Sequence, residues 1–196
     1  ELSGSGIDLF KLGEPETVSI EDWIISELKQ GDCIGFDGKV ISYQFYFDLL
    51  KKCESKKITI STHKDLLDDI WEDRPNLPSG SLSDYSVEYA GISRGDKCEG
   101  IRDKMRDKKL THFLITTLDD IAWLLNIRGA DIPCCPVSLS HLIISLEKVE
   151  LFIDESKVSD ELRKELAKSN VVVLGYEEID NSLKVLADGS RILFDP

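Results

Sequence analysis

The stretch Arg74-Pro75-Asn76-Leu77-Pro78-Ser79-Gly80-Ser81 cannot continue a helix or a central strand. Its prolines fix φ and lack an amide donor, its glycine admits left-handed turns, and its Asn and Ser side chains bond nearby backbone. A chain of 196 residues interrupted in this way is expected to fold as two parts. The expected division is 1–73, a linker over 74–88, and 89–196. The first part is the more acidic: through Gly91 there are 9 basic and 18 acidic residues, and beyond it 15 and 19.

Local patterns on both sides alternate helix and strand. Before the break, Ser19 is placed to cap a helix carrying Trp23, Ile24 and Leu28, and Ser42 one carrying Phe45, Leu49 and Cys53. Cys33–Asp37 and Ile58–Ser61 read as strands, and Asp65–Trp71 as a helical turn or two. Strand–helix–strand is too little sheet for a complete domain, so this part reads as the tail of one.

After the break, Ser93 opens a helix with Cys98, Ile101 and Met105 on one stripe. Thr117 with Asp120 resembles a capping box, and Ser159 caps another helix. His112–Thr116 and Val171–Leu174 read as strands, His141–Leu146 with Lys148–Ile153 as a hairpin, Glu177–Ala187 as a helix, and Arg191–Pro196 as a closing strand. The expected class is α/β, a mixed sheet covered by helices.

Several function classes are excluded early. With 24 Lys+Arg against 37 Asp+Glu, the net charge of −13 opposes phosphate binding, so no nucleic acid is expected. Arg102, Lys104, Arg106, Lys108 and Lys109 alternate with Asp103 and Asp107, as on a solvated, ion-paired helix face. The longest apolar run, His141–Leu146, falls far short of the roughly 20 residues that cross a bilayer, so no membrane is expected. The first six residues carry no basic stretch leading into an apolar one, so no secretory leader is expected there. The abrupt start without Met leads us to expect a longer parent protein. Five cysteines at 33, 53, 98, 134 and 135 form no disulfide framework and fit reduced thiols in the cytoplasm.

No phosphate loop, dinucleotide glycine pattern, nucleophile elbow or zinc-helix motif occurs. The pairs Asp68-Asp69, Asp119-Asp120 and Glu177-Glu178 sit where a helix dipole or solvent accounts for them. Cys134-Cys135, held between Pro133 and Pro136, has the wrong spacing for zinc and reads as a turn. The densest unusual stretch runs from Ile121 to Pro133, where an apolar helix gives way to Arg128 and Asp131 in a loop. Trp123 reads as core. Arg128 either pairs locally with Asp131 or aims its planar fork at a carboxylate or carbonyl across a cleft.

Ala122-Trp123-Leu124-Leu125-Asn126-Ile127-Arg128-Gly129-Ala130-Asp131-Ile132-Pro133, followed by Pro136-Val137, resembles the second domain of three-domain Xaa-Pro aminopeptidases of the creatinase/prolidase superfamily. Asp69-Ile70-Trp71-Glu72-Asp73-Arg74-Pro75 is similar to their junction between first and second domains, and Glu21-Asp22-Trp23 and Gly35-Phe36-Asp37 to the end of the first. The resemblance implies a creatinase N-terminal-like (ribonuclease H-like) fold over 89–196, preceded by part of a similar domain over 1–73. It also implies a cytoplasmic parent metallopeptidase hydrolase that removes the residue preceding proline from peptides and works as a homodimer. The dinuclear manganese centre would belong to a catalytic domain outside this chain, leaving this chain without catalytic residues, cofactor or metal. Its role would be to shape the substrate entrance and subunit packing beside its own catalytic domain.

Arg128, Asp131 and His141 are the substrate-binding residues so implied, with Arg128 facing the cleft, Asp131 holding its loop and Trp123 anchoring it beneath. The family often has Tyr-Asn at Cys134-Cys135 and an aromatic near His141, so this chain has smaller side chains at the expected rim. The competing reading is a catalytically silent peptide- or histone-binding module, like the relatives of this fold found in histone-chaperone subunits.

Overall fold

The computed structural model describes residues 2–195. The chain divides into two compact units, the first ending at Pro75 and the second running from Asn76 to Asp195.

In the first unit, Ser19 Oγ accepts the Asp22 N–H and starts α1 (Ile20–Glu27), as its sequence position predicts. Strand β1 (Cys33–Gly35) pairs in parallel with β2 (Thr59–Ser61), and α2 (Tyr43–Lys56) connects them with Ser42 as its cap. Leu49 and Cys53, one helical turn apart, are fully buried with Ile58, and Ile24, Leu28, Ile34 and Phe45 pack around them. Of the helical turn or two expected over Asp65–Trp71 there is one, in which Trp71 N–H donates to Leu67 O.

The second unit opens with residues expected to be linker. Leu82 is buried in the core, its N–H donating to Lys157 O, and β3 (Ser83–Asp84) pairs antiparallel with β5 (Ile127–Arg128). The short α3 (Val87–Ala90) and the long α4 (Arg94–Asp107) follow, the latter capped by Ser93 Oγ on the Asp96 N–H. Then come β4 (His112–Ile115), α5 (Leu118–Leu125), β6 (Ser140–Ser145), β7 (Val149–Ile153), α6 (Asp160–Ala167), β8 (Val171–Leu174), α7 (Ile179–Lys184) and β9 (Ile192–Leu193). The last is the expected closing strand. Pro196 and Glu1 lie outside the described residues.

Among the described residues, the large sheet has the order β8-β7-β6-β4-β9. The β6–β7 hairpin and the β4–β6 pair are antiparallel, whereas β7–β8 and β4–β9 are parallel. The mixed sheet expected from the sequence is therefore observed. Its register places Ile115, Leu142, Leu151 and Val173 in a row on one face. That face packs on Cys98 and Met105 of α4, Ile121, Leu124 and Leu125 of α5, and Leu162 and Leu166 of α6. Each such side chain withdrawn from water contributes about 1.5–3 kcal/mol. Ile143 and Phe152, on the other face, are also buried, and the Tyr176–Glu178 turn packs against β7.

Three local expectations are corrected. Thr117 occupies the N-cap position of α5, yet its side chain makes no capping hydrogen bond. Arg102 is buried and not on the solvated face, because it shares the inner side of α4 with Cys98 and Met105; its Nε donates to Ser145 O at 2.9 Å. Trp123 is 54% exposed. It lies on the side of α5 away from Ile121, Leu124 and Leu125, which fill the core, so the indole faces outward and not into the core as expected.

Candidate functional site

The site is built where α5 ends. Asn126 takes the left-handed conformation with φ 50°, which terminates the helix and turns the chain into β5. Its buried side chain donates to Ile92 O at 2.9 Å and accepts from Lys97 Nζ at 2.6 Å. Lys97 also donates to Trp123 O at 2.7 Å, and its ammonium lies 4.3 Å from the Trp123 ring.

Arg128 follows on β5, opposite Ser83. Its guanidinium carbon stands 4.1 Å from the centre of the Tyr85 ring, and Nη1 donates to Ile127 O at 2.8 Å and Ala122 O at 3.2 Å. The side chain is half-buried and held on one edge. Among the described residues, Nη2 and Nε have no protein hydrogen bond.

Asp131 does not pair with Arg128. Its side chain is fully buried, and Oδ2 accepts from Lys157 Nζ at 2.6 Å, Ser138 Oγ at 2.7 Å and Leu139 N–H at 2.7 Å. Burial works against its charged form, but the bonds from Lys157, Ser138 and Leu139 prevail and hold the carboxyl below its ordinary value. The local ion pair is replaced by one made across the fold, and this pins the loop that follows Arg128.

That loop is closed by Gly129 N–H to Pro136 O and Asp131 N–H to Val137 O. Its tip is a turn in which Cys135 N–H donates to Ile132 O, with Pro133 second and Cys134 third at φ 63°, a position that favours Gly or Asn. Both cysteines of the turn are exposed.

His141, half-buried on β6, keeps separate company. Its ring centre lies 5.0 Å from that of Tyr176. Burial pushes the imidazole below its ordinary value, against the opposing pull of Asp180 and Glu177. The structure therefore gathers Arg128 and Asp131 into one hydrogen-bonded loop and sets His141 of β6 against Tyr176. Lys97, Tyr85 and Lys157, which complete the loop's support, were not singled out from the sequence. Only Asn126, directly after an apolar helix, carried a local signal, as a helix terminator.

Among the described residues, no three His, Cys, Asp or Glu side chains converge in a way that could hold a metal ion. A dinuclear centre does not fit this donor set, and no metal-dependent step follows from it. No helix among the described residues is long and apolar enough to cross a membrane.

Residues 73–196 match the family model described as creatinase/prolidase N-terminal domain. The chain is 33% identical over 91% of its length to the Xaa-Pro aminopeptidase app-1 of Caenorhabditis elegans, and 31% identical over its whole length to aminopeptidase P2 of Arabidopsis thaliana. It spans only 29% and 28% of those two proteins. Among solved structures, it matches the X-prolyl aminopeptidase of Caenorhabditis elegans, described as a cytosolic enzyme with a dinuclear active site. The TM-score is 0.83 at 35% identity, covering 90% of this chain and 30% of that one. With its mixed sheet, its helix layer and a match across most of its length, this chain belongs to the creatinase/prolidase N-terminal domain family.

Proposed function

We propose that this chain is the non-catalytic N-terminal region of a cytoplasmic, metal-dependent aminopeptidase that releases the N-terminal residue from peptides with proline second. Residues 1–73 form the end of a first creatinase-like domain, and 89–196 form the second together with Leu82 and β3, which pack and pair with it. The dinuclear manganese centre belongs to a catalytic domain supplied by other residues of the parent homodimer. Within this reading, the chain forms one wall of the substrate entrance and contributes to subunit packing.

The observation that carries the reading is the rigid mounting of Arg128 on a fold shared with a solved X-prolyl aminopeptidase. A guanidinium fixed along one edge meets a peptide group or carboxylate with little ordering cost, which is how a positioning residue aids a reaction centred elsewhere. The Asp131–Lys157 pair keeps the loop in place. His141 stands at the rim.

The test is steady-state hydrolysis of an Xaa-Pro peptide with Mn²⁺, by the parent protein and by this chain alone. The parent turns over and the chain does not, and Arg128→Ala in the parent lowers kcat/KM about tenfold or more with an unchanged melting temperature. Turnover by the chain alone, or an unaltered kcat/KM in the variant, overturns the reading.

A further inference from the structure

Two cations meet at the C-terminal end of α5 with no carboxylate partner among the described residues. Arg128 Nη1 donates to Ala122 O and Lys97 Nζ to Trp123 O, the carbonyls of successive residues. The end of a helix carries about half an elementary negative charge, which leaves two full positive charges under-compensated. Burial first, and then the charge of Arg128, pushes the Lys97 amine below its ordinary value. Arg74, Arg94, Arg106, Lys148 and Lys157, by contrast, each hold a carboxylate.

Aromatic rings flank the pair. Tyr85 lies under Arg128 and its ring centre is 6.0 Å from that of Tyr89, which is 71% exposed. On the other side, Lys97 lies against the exposed ring of Trp123. We propose that this corner binds the C-terminal carboxylate of a short peptide, which accepts hydrogen bonds from Arg128 Nη2 and Nε while the adjacent apolar residue or proline ring lies on the exposed aromatic surface. A planar carboxylate matches the free edge of the guanidinium. The rings suit an apolar neighbour on the same ligand, which a free phosphate does not have. The inference deepens the peptidase reading by naming the end of the substrate that reaches Arg128, and it rests on that reading for its setting. Its test uses this chain alone, so the two fail separately.

The experiment is calorimetric titration of the 196-residue chain with the tripeptide Ala-Pro-Phe as free acid and as C-terminal amide. The free acid binds about tenfold or more tightly than the amide, in line with two charge-assisted hydrogen bonds. Arg128→Gln abolishes the difference, and Arg128→Lys keeps part of it. Trp123→Ala, a change at an exposed ring, weakens both ligands and serves if Arg128→Gln does not fold. Equal binding of acid and amide, no binding of either, a preference that survives Arg128→Gln, or an unchanged affinity in Trp123→Ala overturns the proposal. Displacement of the peptide by an equal concentration of inorganic phosphate does so too, because it marks an unselective anion site.

Discussion

Lys157 Nζ lies 2.6 Å from Asp131 Oδ2, with the two side chains 2% and 0% exposed. The pair ties the turn after β7 to the loop that carries Arg128. Removing one partner strands the other charge without water, so Lys157→Met or Asp131→Ala is expected to cost about 3–5 kcal/mol in urea unfolding. A cost below about 1 kcal/mol would show that the loop is held by other means.

The same pair makes stability depend on acid. The folded Asp131 carboxyl is more acidic than its unfolded counterpart, so its contribution is complete above about pH 4 and is lost as pH falls through the folded value. Unfolding free energy measured from pH 6 down to 2 should fall less steeply for Asp131→Asn than for the native chain. Parallel curves would contradict this.

His141 acts in a neighbouring range. Its imidazole is held below its ordinary value chiefly by burial, so the folded state favours the neutral ring. Stability from this source is present above about pH 6.5 and declines as pH falls below it. His141→Gln should flatten the loss between pH 7 and 5, as read by melting temperature at each pH.

Gly129 has no room for a side chain. A Cβ there would lie 2.6 Å from both Val137 O and Ser138 Cβ. Since one obstacle is backbone, Gly129→Ala is expected to destabilise by about 1–3 kcal/mol and to weaken peptide binding through Arg128. Wild-type stability in this variant would mean that the loop shifts freely.

Caps separate position from bonding. Ser159 Oγ accepts the Leu162 N–H, whereas Thr117 holds its helix end without a side-chain bond. Ser159→Ala should cost about 1 kcal/mol and Thr117→Ala well under half of that. Equal losses would place the cap at Thr117 after all.

Helices starting at Ser19, Ser42, Ser93 and Ser159, and the β6–β7 hairpin, were legible in the chain because capping and alternation are nearest-neighbour effects. The loop motif around Arg128 was legible through its resemblance to a known family. Its wiring was not. Asp131 finds Lys157 26 positions away, Lys97 finds Asn126 29 away, and Arg102 finds Ser145 43 away. No local pattern encodes such pairings, since they depend on which strands become neighbours. Whether Trp123 faces core or solvent was settled in the same way, when the packing of α5 against the sheet used Ile121, Leu124 and Leu125 and left the indole outside. Short-range stereochemistry set where elements begin and end; the burial of apolar faces against distant partners chose which charges would meet.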